Sequence, residues 1–255
     1  MKKGISVIIP CYNEENNLNR GVLKEVYDFL KTQTYPWEVL ICNDQSTDNS
    51  LKIVQKFAKS HRGFRVLDLP KGGKPGALWG GIQQAKYPLC LFTDMDQSTP
   101  ISELNKLLPF YNKKYDIVIG SRGNQRTGFG LLRLLGSKVF SIFRKILLKS
   151  RIEDTQCGFK SMKTDIARKI FPRLEVIKNI QGGQGWRVSA YDVEMLFIAD
   201  KLGYKTKEVP VLWQDEDTST TKGDQNAKYL KESKRMAAEV WRVFTNNLQG
   251  KYDKK

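Results

Sequence analysis

Four times within its first hundred residues the chain repeats one pattern: a short apolar run, a polar cluster, then a stretch with helical periodicity. The runs are Ile5-Ser6-Val7-Ile8-Ile9, Glu38-Val39-Leu40-Ile41-Cys42, Phe64 to Leu69, and Leu89 to Phe92. Runs this short and rich in branched residues read as strands buried on both faces. The intervening stretches, about 18–32, 50–60 and 77–85, read as helices, and in the first of them Leu18, Val22, Val26, Phe29 and Leu30 share a face. Pro10 should stop the first strand, because it cannot donate to a central ladder. Further strands are expected at Tyr115 to Gly120 and Thr206 to Trp213, with a helix from Tyr191 to about Leu202 between them. Strand and helix alternating through short connections predict an α/β fold with a mostly parallel sheet and helices on both faces. Ligands of such folds gather at the carboxyl ends of the strands.

Every polar cluster falls at such an end. The first loop carries Glu14, the second is Asn43-Asp44-Gln45-Ser46-Thr47-Asp48, the third is Lys71-Gly72-Gly73-Lys74-Pro75-Gly76, and the fourth is Thr93-Asp94-Met95-Asp96. Asn, Asp, Gly and Pro belong in loops whatever their role. Asp94 and Asp96 would also suit the entrance of a helix beginning near Ile101. Carboxylates one residue apart repel, however, and no Lys or Arg lies between Lys86 and Lys106 to neutralise them. A hard divalent cation bound to a diphosphate would make good that deficit.

Composition narrows the partner. Forty-three basic against 27 acidic residues give a net charge of +16, which favours an anionic partner such as a nucleotide, a phosphate or a membrane surface. Nucleic acid would account for the charge but not for carboxylates at strand ends, which repel a phosphate backbone. The single histidine, His61, lies in the polar stretch Lys59-Ser60-His61-Arg62-Gly63, a poor setting for a Ser-His-Asp triad or a His-based zinc site. Cys11, Cys42, Cys90 and Cys157 lack metal-type spacing and read as reduced core thiols of a cytoplasmic protein. The start MKKGISVIIPCYNEE has no long apolar region and no cleavage site, and no apolar run approaches the ~20 residues of a spanning helix. Between Arg122 and Arg151 the chain is basic without an acid. About 129–150 reads as an amphipathic helix with Leu132, Leu135, Val139, Ile142, Phe143 and Ile146 on one face, suited either to a core or to an anionic bilayer. A sugar-phosphate nucleotidyltransferase would want a Gly-rich loop with Arg and Lys after the first strand, and Pro10-Cys11-Tyr12-Asn13-Glu14-Glu15 offers none. The expected organisation is one domain over 1–221, followed by an amphipathic helix and tail over 222–255. In that helix Leu230, Ala237, Val240, Trp241 and Phe244 face the protein.

The motifs SVIIPCYNEENNL, NDQS, KGGKPGA, FTDMD, GSR and DTQCGFK stand in the order found in family 2 inverting glycosyltransferases, and the chain most resembles the polyprenyl-phosphate sugar transferases of that family. The resemblance implies a GT-A fold, a UDP- or GDP-hexose donor and Mg2+ or Mn2+. It implies that Pro10, Tyr12, Glu14, Asp44, Lys74, Asp94 and Met95 contact the nucleotide, and that Asp94 and Asp96 bind the metal with Ser98. Arg122 and Arg133 match the acceptor-phosphate region, and Asp96, Asp154, Arg122 and Arg133 form the implied catalytic set. Two departures stand out: Asn43 replaces the first of two common aspartates, and Gln97-Ser98-Thr99-Pro100 is out of register with the Gln-His-Pro of mannose synthases.

The acceptor decides whether a base is needed. A lipid monophosphate is already ionised near neutral pH and needs only cationic positioning, for which a guanidinium is well shaped. A saccharide hydroxyl would require a carboxylate base, and Asp192, Glu194 and Asp154 are the candidates. The basic apolar helix beside Arg122 favours the polyprenyl phosphate, delivered at the cytoplasmic surface of a membrane to a peripheral protein without a spanning helix.

Overall fold

The computed structural model describes residues 4–123, 152–178, 191–214 and 225–253, with the backbone alone over 225–235. In chain order it comprises β1 (Ile5–Cys11), α1 (Glu15–Asn19), α2 (Val22–Leu30), β2 (Trp37–Asn43), α3 (Ser50–Ser60), β3 (Phe64–Asp68), α4 (Gly73–Gln84) and β4 (Leu89–Phe92). After a 3-10 turn at Ile101–Glu103 come α5 (Leu104–Leu107), α6 (Pro109–Asn112), β5 (Ile117–Ser121), β6 (Lys160–Lys163), α7 (Thr164–Ile170), α8 (Glu175–Lys178), α9 (Tyr191–Lys201), β7 (Thr206–Pro210) and α10 (Gln225–Leu248). The strands form one sheet in the order β3-β2-β1-β4-β6-β5-β7. All pairs are parallel except those of β6, which runs antiparallel to both β4 and β5.

Both faces of the sheet are covered, as the unbroken apolar runs require. Ile8, Leu40, Cys42, Cys90 and Phe92 point to one face, where α4, α7, α9 and α10 pack. Their neighbours in the strands, Val7, Ile9, Val39, Ile41, Leu89 and Leu91, point to the other, under α1, α2, α3 and the 101–112 turn. The two-residue period of a strand thus divides one sheet between two cores.

Several boundaries differ from expectation for physical reasons. The first helix is two, broken at Gly21, whose φ of 89° lies in the left-handed region. β1 continues through Pro10 to Cys11. On the side facing β4 the last paired residue is Ile8 opposite Phe92, so the missing N–H of Pro10 faces no strand. α4 begins four residues before the expected Ala77: Pro75 stands in its first turn, where the absent N–H has no intrahelical acceptor anyway. β6 was not foreseen at all, nor were α7 and α8. Lys160-Ser161-Met162-Lys163 has a polar sequence, yet Lys160 and Ser161 are fully buried, Ser161 between the Tyr111 hydroxyl at 2.8 Å and Val118 O at 3.1 Å. His61 lies before β3, at the opposite end of the sheet from the strand-end loops, its ring stacked on Phe57 at 3.7 Å. The 129–150 helix, Arg133 and the Gly-rich stretch 181–186 lie outside the described residues.

The C-terminal helix is part of the core. Val240 and Val243 are fully buried against the sheet-facing helices, whereas Trp241, expected on that face, is 54% exposed, because 100° of helical rotation separates it from Val240. A buried charge fixes the helix in place. Glu194 of α9 has no exposed surface and accepts from Tyr252 Oη at 2.6 Å, Arg242 Nη2 at 3.0 Å and Glu175 N at 3.1 Å. Among the described residues no helix is long and apolar enough to cross a membrane.

Removing one partner of a buried ion pair leaves the other charge uncompensated. Arg242→Ala is therefore expected to lower unfolding free energy by about 2–4 kcal/mol, below the top of the usual range because the guanidinium is partly exposed. Urea denaturation checks this, and a loss under about 0.5 kcal/mol would show that Glu194 does not depend on the pair.

Candidate active site

The antiparallel course of β6 assembles the site. Lys160, its first residue, is in register with Phe92 at the end of β4 and with Ile119 near the end of β5. The segment entering β6, Asp154 to Phe159, therefore lies at the rim where β1, β2, β3, β4, β5 and β7 finish. A βα unit brings the loop after a strand to this rim; β6 brings the loop before it.

Two of these loops are laced together. Asn13 N donates to Ser46 Oγ at 3.1 Å, Thr47 N to Asn13 Oδ1 at 2.8 Å, and Glu14 N to Ser50 Oγ at 2.8 Å. Asn13, Gln45 and Gln97 each turn their loop with a φ between 53° and 58°, a left-handed conformation that is uncommon without glycine. The two glutamines are held there by bonds from Gln45 Nε2 to Leu69 O at 2.9 Å and from Gln97 Nε2 to Asp94 O at 2.8 Å.

Asp44, buried at the end of β2, supplies from another loop the cap that α4 lacks in its own sequence. Its Oδ1 accepts Gly72 N at 2.7 Å and Gly73 N at 3.1 Å. Lys71 Nζ donates to Asp44 O at 2.8 Å and sits 2.9 Å from the centroid of the Tyr12 ring, which is 39% exposed. Tyr12, Asp44 and Lys71 thus form an open platform with a flat aromatic face. Glu14 stands beside it, its carboxylate accepting Asn17 Nδ2 at 2.7 Å. Lys71 was not singled out in the sequence; it is found only because the β2 and β3 loops meet.

The second cluster surrounds Asp94. Lys74, in the first turn of α4, forms an ion pair with Asp94 Oδ1. The charge missing from the 87–105 segment is thus supplied in part from another loop, which corrects the expectation that a ligand makes good the deficit. A Cβ added at Gly158 would overlap Asp94 Oδ2 far inside van der Waals contact, so the bare α-carbon is what admits the carboxylate. Asp96 Oδ1 accepts Ser98 N at 2.9 Å, closing the turn, and Asp96 O accepts Arg20 Nη2 at 2.7 Å. Met95, expected to touch the nucleotide, points its side chain into the core and is 2% exposed, because neighbouring positions at a strand end face opposite ways. Burial works to lower the Lys74 pKa, but Asp94, Asp192 and Asp96 together outweigh it and raise it above the ordinary lysine value. Asp192 opens α9 and lies 2.8 Å from the ammonium of the fully buried Lys160, which also donates to Cys157 O. The buried Tyr191 hydroxyl beside it stays protonated, its pKa pushed well up by burial and by Asp192 and Asp94.

The third cluster is a guanidinium. Arg122, one residue past β5, meets Asp154 with two parallel bonds of 2.7 Å, from Nε to Oδ2 and from Nη2 to Oδ1. Asp154 also accepts Arg122 N at 3.0 Å and Gln156 N at 3.2 Å. Its four acceptor positions are thereby filled. Burial opposes the Arg122 charge, yet Asp154 more than compensates and raises its pKa. Asp154 therefore holds an arginine instead of awaiting a proton. Of the other candidate bases, Glu194 is enclosed beneath α10, away from the rim, and Asp192 faces Asp94 and Lys74 while paired with Lys160.

Carboxylate oxygens are the donors that Mg2+ and Mn2+ prefer. Among the described residues no three His, Cys, Asp or Glu side chains are grouped to hold an ion alone. Asp94 and Asp96 fit a cation that completes its shell from a diphosphate and water. Ser98 joins their turn through its backbone.

This rim, with an aromatic platform, two carboxylates and an arginine along one edge of a mixed sheet, belongs to a glycosyltransferase of GT-A fold. The family model described as "Glycosyl transferase family 2" matches residues 6–171, and the chain belongs to that family. It is a hexosyltransferase. It is 32% identical over 235 residues to a dolichyl-phosphate beta-glucosyltransferase of Dictyostelium discoideum, covering 84% of this chain and 68% of the relative. The Homo sapiens protein of the same name is 30% identical over 235 residues, with the same coverage of 84% and 68%. Among solved structures, mannosyl-3-phosphoglycerate synthase from Rubrobacter xylanophilus superposes with a TM-score of 0.65 at 14% identity, covering 99% of this chain and 76% of the other. A Pyrobaculum calidifontis mannosyltransferase in complex with GDP-Man and Mn2+ gives 0.61 at 19% identity, covering 98% and 65%. The structural likenesses establish the fold.

Gly158→Ala is expected to push Asp94 out of its seat with the fold intact. Thermal shift with Mn2+ and a nucleoside diphosphate should show apparent affinity reduced by about tenfold or more, the equivalent of ~1.4 kcal/mol. An unchanged shift would mean that Asp94 does not need the space.

Proposed function

We propose that the protein transfers a glucosyl or mannosyl group, with inversion, from a UDP- or GDP-hexose to a polyprenyl or dolichyl phosphate at the cytoplasmic surface of a membrane. The observation that carries the reading is the adjacency of opposite charges on one rim: a carboxylate cluster at Asp94 and Asp96, and an arginine at Arg122 held by a saturated Asp154. Tyr12 offers its ring to the base, Asp44 and Glu14 lie within reach of base and ribose, Pro10 shapes the end of β1, and Lys74 faces the diphosphate. Asp94 and Asp96 would hold Mg2+ or Mn2+, which supplies Lewis-acid stabilisation to the departing diphosphate. Arg122 binds the acceptor phosphate, and its ionised oxygen attacks without a base.

The relatives' names support the lipid acceptor, and the filled acceptor positions of Asp154 fit an acceptor that brings its own negative charge. A saccharide-hydroxyl acceptor would have to rely on Asp192, whose carboxylate is already paired with Lys160. The net charge of +16 suits a negatively charged lipid surface. Arg133 and the basic stretch 129–150 extend the acceptor side in this reading.

Transfer of labelled hexose from UDP-glucose and GDP-mannose, assayed against polyprenyl phosphate and against oligosaccharides, tests the proposal. Asp96→Ala should reduce turnover by about 100-fold or more, since several kcal/mol of charge stabilisation are at stake. Arg122→Ala should raise KM for the lipid phosphate by about tenfold or more while changing donor KM little, consistent with loss of a charge-assisted bond. Transfer to oligosaccharides alone would overturn the proposal.

A further inference from the structure

One strap of the fold touches both the carboxylate cluster and the arginine, and it carries an aromatic ring to which the reading above assigns no task. β5 and β7 are parallel neighbours with Ser121 opposite Pro210, so both chains leave the sheet at the same level. Val211 N extends the ladder to Ser121 O at 3.0 Å. Gly120 lets the strap come this close, since an added Cβ would lie 2.9 Å from Val211 Cγ2. Beyond it, Leu212 N donates to Glu103 Oε2 at 2.9 Å and Gln214 N to Ser98 O at 2.8 Å, pinning the strap to the loop of Asp96. Trp213, between these two anchors, lies with its ring centroid 5.7 Å from Arg122 Cζ.

We infer that Trp213 is a positioning residue for the acceptor phosphate: it braces the face of the Arg122 guanidinium and, with Leu212, gives the acceptor's first apolar carbons a surface to rest on. The inference rests on the role proposed for Arg122. Asp154 engages the Nε and Nη2 edge of the guanidinium and so fixes its rotation within the plane. Trp213 limits movement out of the plane, as a ring below 6 Å from a cation does. Nη1 has no hydrogen-bond partner among the described residues and is the donor that remains to be offered to an anion. The ring also shields one face of the guanidinium, which strengthens its bonds to phosphate. Leu212, next to Trp213 along the strap, is 44% exposed, and the indole is partly exposed. A guanidinium bordered by a tryptophan, with an exposed leucine next along the strap, matches a phosphate monoester whose substituent is hydrocarbon. A hydrophilic phosphate would gain nothing from that border.

Steady-state transfer by the full chain to a polyprenyl phosphate and to a short water-soluble prenyl phosphate tests this, with Trp213→Ala, Trp213→Phe, Arg122→Ala and the Trp213→Ala/Arg122→Ala double variant. Trp213→Ala should raise acceptor KM by about tenfold with donor KM within about twofold. Trp213→Phe should recover most of the loss, and it serves as the readout should the alanine variant unfold. Because Trp213 braces Arg122, that part of its effect should vanish with the guanidinium, and the double variant should be less impaired than the product of the two single losses. Fully additive losses, or equal increases in donor and acceptor KM, would overturn the role of Trp213 while leaving the acceptor assignment standing. A wild-type enzyme that uses neither prenyl phosphate would overturn both.

Discussion

The carboxylate of Asp94 is seated between an ammonium from one loop and the side-chain-free α-carbon of another. β4 is buried on both faces, and the acid at its end, its side chain 41% exposed, is met on the protein side by charge brought from elsewhere. Lys74 can arrive only because α4 begins early, and α4 begins early because Asp44 caps it from the end of β2. Gly158 can arrive only because β6 enters the sheet from the rim. The seat of one carboxylate thus fixes how four segments of the chain meet.

The same arrangement divides the rim electrostatically. Around Lys74 stand Asp94, Asp96 and Asp192, three carboxylates against the two ammonium groups of Lys74 and Lys160, which leaves a site prepared for added positive charge. Around Arg122 the charges balance one to one: Asp154 neutralises the guanidinium, fills its own acceptor positions in doing so, and leaves a donor directed elsewhere. Such a pair of neighbouring sites suits a reaction in which one anion departs with a dication and another attacks.

What the sequence discloses and what it conceals follow from the range of each interaction. β-branched runs and the polar loops after them are local, so the parallel strands and the positions of Tyr12, Glu14, Asp44, Asp94 and Asp96 were legible. Neighbours across loops are not local. Asp44 capping α4 and Lys74 pairing with Asp94 each join loops separated by an intervening helix and strand, and Lys71 lying on Tyr12 reaches across three helices and two strands. β6 escaped because two of its three buried residues are Lys160 and Ser161, whose polar atoms are satisfied by Cys157 O, Asp192 and Tyr111, and a lone Met162 makes no hydrophobic pattern. Glu194 looked like a base beside Asp192 for the converse reason: two residues along a helix turn a side chain through about 200°, and there it meets α10 instead of the rim.

The proposed role of Asp94 and Asp96 is to receive a divalent cation only together with a diphosphate, because the described residues supply too few ligands and already lend Lys74 to Asp94. Electron paramagnetic resonance of Mn2+ titrated with wild-type protein and with the Asp94→Asn/Asp96→Asn variant, in the absence and presence of UDP or GDP, tests it directly. The account predicts weak Mn2+ binding without nucleotide, tight stoichiometric binding with it, and loss of that binding in the variant. Tight binding of Mn2+ by the protein alone, or nucleotide-dependent binding that survives the double substitution, would contradict it.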